Sequence, residues 1–147
     1  MQLLFYCLYS LHFSVLRDLG VTAVLNAAQG DLEGWSVVNT KQSYYEPKGI
    51  QFLGVPAIDL NSFPLRDYFV QAADWIENIL KGGGVVLVHC VQGISRSATL
   101  ILAFLIIKKK MTLQQGIEMI KKKRSIAPNE GFMQQLIELN DKTHNLV

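Results

Sequence analysis

Residues 85–107 read VVLVHCVQGISRSATLILAFLII, and the organisation of the chain is legible from this stretch outward. Val85 to His89 is a short, continuous apolar run, the pattern of a strand covered on both faces. Ala98 to Ile107 is a second apolar run, about half the ~20 residues that a membrane span requires, and reads as a fully buried helix. Between them lies a polar loop, His89-Cys90-Val91-Gln92-Gly93-Ile94-Ser95-Arg96-Ser97. A loop entered from a buried strand and left by a buried helix sits at the C-terminal end of a central strand. Open α/β sheets place their ligands there.

The residue types in the loop point to an anion. The leading N–H groups of a helix are unpaired and make its N-terminus an anion site. Gly93 permits the backbone curvature that turns several N–H groups toward one centre. Arg96 offers a planar fork that grips two phosphate oxygens at once. Cys90, at the base of this electropositive cup, is favoured as thiolate over thiol. A thiolate facing a bound phosphate is set for in-line attack and a phosphocysteine intermediate. His89 can order the loop through its ring, and Ser97 offers a hydroxyl to the sulfur as it leaves. A bare Cys-x5-Arg pair is equally compatible with a buried structural cysteine and a surface arginine. The full nonamer between strand and helix is much more specific.

The flanking chain alternates strands and helices. Leu11 to Leu19 carries apolar residues at helical spacing (Leu11, Val15, Leu16, Leu19), with Gly20 as C-cap. Val21 to Leu25 and Ile50 to Val55 read as strands, the second closed by Pro56. Leu65 to Leu80 is an amphipathic helix with Leu65, Phe69, Ala72, Ala73, Ile76 and Ile79 on one face. Asp67 and Asp74 lie on its solvated side. Thr112 and Gln115 form a capping box for a helix to about Lys123. Asn129 caps a last helix whose buried face is Phe132, Leu136, Ile137 and Leu139. The fold class is therefore α/β, a parallel or mixed sheet of about four to five strands covered by helices.

Composition limits the function classes. With 147 residues, half of them hydrophobic and 18% charged, the chain suits one globular domain that needs no disulfide or metal staple. A net charge of +2 is too small to point to nucleic acid. Its two cysteines, Cys7 and Cys90, match no disulfide framework and no zinc spacing. No cofactor and no metal is expected. A free loop cysteine suits the reducing cytosol or nucleus. Met1 to Leu16 is mostly apolar, yet lacks the basic region and cleavage site of a signal peptide. It is also shorter than a membrane span, so no stable membrane insertion is expected. It reads as a buried helix or strand, or as an alternative start to the domain. Lys108-Lys109-Lys110 and Lys121-Lys122-Lys123-Arg124 could attract acidic substrates or a membrane surface, but such runs are more often solvated helix ends that complement the helix dipole.

The His89–Ser97 loop resembles the protein tyrosine phosphatase superfamily, and in detail the dual-specificity phosphatases. Asn26-Ala27-Ala28, Tyr44-Tyr45, Gly54-Val55-Pro56-Ala57-Ile58-Asp59 and Arg124 to Phe132 are similar to the same family. The small atypical members, which consist of little but the catalytic domain, are the most similar. The resemblance implies a phosphotyrosine-phosphatase-like fold. It also implies hydrolysis of phosphotyrosine and phosphoserine/threonine esters in phosphorylated proteins. Cys90, Arg96, Asp59, Ser97 and His89 would carry the chemistry, and Val91, Gln92, Gly93, Ile94, Ser95 and Arg96 would hold the phosphate. Asp59 would be the general acid on an upstream loop; read alone, it would cap a turn before Asn61-Ser62. Asn129, a sufficient N-cap in itself, falls where the family packs near the site. The loop's variable positions carry no charge, unlike the lysines of phosphoinositide phosphatases, which favours protein substrates. The family's early strand is not recognisable in Met1 to Ser10. Residues 1–10 are therefore set apart as an atypical segment before a catalytic domain of residues 11–147. The altered start also leaves a weak or inactive phospho-binding regulatory protein as the alternative function.

Overall fold

The computed structural model describes residues 3–6, 12–31 and 36–146. Four parallel strands, β1 (Leu3–Tyr6), β2 (Ala23–Asn26), β3 (Gln51–Gly54) and β4 (Val86–His89), pair in the order β1-β4-β2-β3. The register aligns Tyr6, His89, Asn26 and Gly54, so all four strands end at one edge of the sheet. The loops that follow β2, β3 and β4 therefore emerge side by side.

Strand side chains alternate between two cores, as the pleat requires. Val24 and Leu87 face one core with Leu16 of helix α1 (Phe13–Asp18) and Tyr45 of the short helix α2 (Gln42–Tyr45). Ala23, Leu25, Val86 and Val88 face the larger core on the opposite side. That side is covered by α3 (Phe69–Lys81), α4 (Arg96–Lys109), α5 (Leu113–Lys121) and α6 (Glu130–Thr143). Helix α4 is buried on every side from Arg96 to Ile106, as its uninterrupted apolar sequence predicts. Gly20 follows α1 with a φ of 71°, the left-handed conformation expected of the residue after a helix end. The Thr112–Gln115 capping box and the Asn129 N-cap are both formed. Lys108 sits at the α3–α4 seam, 2.6 Å from Asp74 and 3.2 Å from Glu77.

The structure departs from the sequence-based expectations at three places. An early strand is present, since Leu3–Tyr6 pairs with β4 in the segment where none is recognisable. A short apolar run has no period that separates helix from strand, so the partner strand decides. Met1, Cys7, Ser10 and Leu11 lie outside the described residues. The α3 segment begins as a 3-10 turn at Leu65–Tyr68, where Asp67 N–H donates to Pro64 O over three residues (3.1 Å). In α6, Ile137 is exposed and Gln135 is buried in its stead.

His89, the last residue of β4, is fully buried. Its Nδ1–H donates to the Cys90 carbonyl at 3.3 Å, since a carbonyl can only accept. Burial pushes the imidazole down to about 4, with the bond to Cys90 acting the other way. The ring is therefore neutral at pH 7. Between about pH 6.5 and 4 the unfolded chain binds a proton that the folded chain does not. Stability is thus fully present above pH 6.5 and falls on acidification by about 3 kcal/mol by pH 4. Urea denaturation across this window should show a shallower pH dependence in His89→Asn than in the wild type. Identical slopes would mean that the ring is already charged in the folded protein.

Candidate active site

The loop after β4 turns back on itself at Gly93, whose φ of +72° disfavours any residue with a Cβ. This conformation directs the Gly93 N–H at Cys90 Sγ (3.2 Å). Ser97, the second residue of α4, places its Oγ 3.2 Å from the same sulfur. Cys90 is only 2% exposed, so its sulfur meets these donors rather than water. Thr99 locks the start of α4, its N–H (2.9 Å) and its hydroxyl (2.7 Å) both donating to Ser95 O.

Arg96 is 2% exposed at the first turn of α4. Its Nη1 donates to the carbonyls of Ser36 (2.6 Å) and Ala57 (3.0 Å). These bonds anchor one corner of the guanidinium to the loops after β2 and β3. The Nε is buried without a hydrogen-bond partner among the described residues. Nη2 has only a long contact to Ser36 Oγ (3.5 Å). The Nε–Nη2 edge is the face that pairs with two oxygens of a tetrahedral anion. Burial lowers the arginine's proton affinity, and the neighbouring Cys90 and Asp59 side chains act against that shift.

Asp59 lies on the exposed loop after β3. Its Oδ1 accepts from Ser95 Oγ (2.9 Å) and from Asn129 Nδ2 (2.9 Å). The Asn129 N–H in turn donates to Ser95 Oγ (3.0 Å), and Ala127 N–H donates to Ile94 O (2.8 Å). Three segments far apart in sequence are thereby joined: the acid loop, the cysteine loop and the entry to α6.

The structure thus brings Cys90, Arg96, Ser97, His89 and Asp59 to one edge of the sheet. Val91 packs against the core and Ile94 is half-buried, whereas Gln92 is exposed. Gly93 is the buried pivot of the turn. The hydroxyl of Ser95 is engaged with Asp59 and Asn129, and its carbonyl with Thr99. Sequence reasoning missed the Ser36 and Ala57 carbonyls because a backbone acceptor carries no residue signature. For the Asn129 side chain a signal existed: the cap falls within the Arg124–Phe132 motif. Among the described residues, no group of three or more His, Cys, Asp or Glu is arranged to hold a metal ion. None of the described helices is long and apolar enough to cross a membrane.

Comparison with known proteins bears on the family and the fold. The family model for the dual specificity phosphatase catalytic domain matches residues 4–142. The chain is 44% identical over 126 residues to dual specificity protein phosphatase 26 of Bos taurus, a match covering 85% of this chain and 57% of the relative. The chain thus spans little more than half the length of that relative. A mouse putative dual specificity phosphatase, solved in complex with zinc tungstate, is 25% identical with a TM-score of 0.75, covering 90% of this chain and 77% of the other. The Yvh1 phosphatase domain from Chaetomium thermophilum shares the fold at a TM-score of 0.79 and 21% identity, covering 96% and 91%. With a sheet, a cysteine loop and an acid loop in this order, and a family model spanning nearly its whole length, the chain belongs to the dual specificity phosphatase catalytic-domain family.

Proposed function

We propose that the chain is a protein phosphatase that hydrolyses phosphotyrosine and phosphoserine/threonine esters through a phosphocysteine intermediate. The observation that carries this reading is the buried pairing of Cys90 Sγ with the Gly93 N–H and Ser97 hydroxyl, beside an Arg96 whose buried Nε has no hydrogen-bond partner among the described residues. The family membership supports the same reading. Tungstate, carried by the mouse neighbour, is a tetrahedral oxyanion like phosphate.

In the first step the Cys90 thiolate attacks phosphorus in line, and the ester P–O bond breaks. Asp59 gives its proton to the departing seryl, threonyl or tyrosyl oxygen. Arg96 grips two of the equatorial oxygens, and the backbone of residues 91–95 supplies N–H donors around the phosphoryl group. In the second step Asp59, now a carboxylate, takes a proton from water as its oxygen attacks the phosphocysteine. The S–P bond breaks, and the Ser97 hydroxyl donates to the sulfur as it regains its negative charge. His89 orders the Cys90 carbonyl and takes no proton in either step. The substrate class is a phosphorylated protein, and the place of action is the cytosol or nucleus.

Hydrolysis of an aryl phosphate in the presence of a chelator tests the scheme. The wild type should turn over without added metal, and Cys90→Ser should abolish turnover. An active Cys90→Ser variant would remove Cys90 as nucleophile. An inactive wild type that still bound phosphopeptide would leave a phospho-binding protein instead. Asp59→Ala should lower kcat by about 10²–10³-fold on a phosphotyrosine peptide, within the range for loss of a general acid. An unchanged rate would assign the proton to another group.

A further inference from the structure

Resting on that phosphatase reading, we propose that Ser95 and Asn129 are positioning residues that fix which carboxylate oxygen of Asp59 carries the transferable proton, with helix α6 holding the acid loop in register. The direction of every bond in the cluster is determined. Asn129 Oδ1 accepts from Phe132 N–H (2.8 Å) as the helix cap, so the amide must turn its Nδ2 toward Asp59. Ser95 Oγ accepts from the Asn129 N–H, which leaves its own hydrogen for Asp59. Both donors end on Oδ1 of Asp59. An oxygen that receives two hydrogen bonds is the carbonyl-like member of a carboxylic acid. The acid form therefore carries its proton on Oδ2, and the same two donors serve the carboxylate form after the proton has gone. Neither donor needs to move between the two steps.

The rest of the acid loop is fastened along α6 in parallel order. Gly131 N–H donates to Asn61 Oδ1 (3.2 Å), and a Cβ at Gly131 would collide with the Asn61 backbone. Gln135, 5% exposed, donates to Phe63 O (2.9 Å) and accepts from Arg66 N–H (2.7 Å). Glu138 pairs with Arg66 at 2.9 Å on the surface. The buried Gln135 bonds contribute most of this attachment, because an exposed ion pair contributes little. Asp59 is thus the tip of a loop attached at successive points to a rigid helix.

The test uses two monoesters, one with an acidic nitrophenol leaving group and one with unsubstituted phenol, which needs the proton far more. Asn129→Ser retains an N-cap oxygen for α6 but cannot reach Asp59. Ser95→Ala removes the other donor. Each should lower kcat on phenyl phosphate by about tenfold or more, with a much smaller loss on the nitrophenyl ester and little change in inhibition by inorganic phosphate. Ser95→Thr, which restores a hydroxyl, should recover most of the loss. Gln135→Ala, remote from the reacting atoms, should shift the leaving-group ratio in the same direction if α6 holds the loop. If Asp59→Ala changes the ratio while Asn129→Ser and Ser95→Ala leave it at the wild-type value, the positioning proposal is overturned and the phosphatase reading stands. If Asp59→Ala itself leaves the ratio unchanged, the assignment of Asp59 as acid fails and the proposal falls with it. Should Ser95→Ala not fold, Asn129→Ser decides on its own.

Discussion

A guanidinium buried to 2% exposure must find acceptors within the protein, because an unpaired buried charge costs several kcal/mol. Arg96 finds them in the backbone carbonyls of Ser36 and Ala57, which belong to the loops after β2 and β3. This requirement draws two loops to the C-terminal end of β4 and orients their peptide groups toward one point. Burial lowers the proton affinity of this cation, and the Cys90 and Asp59 side chains beside it act the other way. The loop geometry around the site is largely the consequence of satisfying this one side chain.

The loop that bears Cys90 is stiff because both of its ends are. Strand β4 has its side chains buried on both faces, and α4 is enclosed by the sheet, α3, α5 and α6. On the proposed reading, the donors of so stiff a loop lose little on binding an anion. The loop after β2 is fixed in a comparable way by Asn26. Its amide donates to Val38 O (3.0 Å) and Thr40 Oγ1 (3.1 Å) and accepts from Ala28 N–H (2.9 Å). Ala27 and Ala28, both fully buried, leave no space there for larger side chains. The Asn26-Ala27-Ala28 motif thus supports the loop that brings Ser36 to Arg96.

The strand–loop–helix unit was legible in the sequence because its logic is local: an apolar run, a glycine turn, and a second apolar run with its cysteine and arginine already in place. The helical faces of α3 and α5 were legible for the same reason. Strand β1 was not, since Leu3–Tyr6 is apolar without a period and only the neighbouring β4 selects the extended form. Gln135 was missed because a glutamine in an amphipathic pattern reads as surface; its burial depends on the Phe63 carbonyl and the Arg66 N–H, both about 70 residues away in sequence. Ile137 reads as core on its hydropathy, and the burial of Gln135 in its stead leaves it outside. At Asp59 the sequence supplied a carboxylate on the right loop, but not the two donors that converge on its Oδ1.

This contrast separates the two halves of the site. On the proposed mechanism, the nucleophile and the residues that hold the phosphoryl group lie within one contiguous segment, so the fold of β4 and α4 delivers them together. Asp59 comes from another segment, and its pose depends on bonds to Ser95 and to an asparagine 70 residues further along the chain. A cysteine loop of this type can therefore be intact while proton transfer is impaired. Such a protein would still bind a phosphoryl group and still accept esters whose leaving group needs no proton. Under the proposed mechanism, a loss at α6 would be felt first on seryl and threonyl esters, whose alkoxide leaving groups are the poorest, and last on activated aryl esters. If Asp59 is the acid, as proposed, the range of esters open to this site rests less on the cysteine loop than on how firmly α6 holds Asp59 beside it.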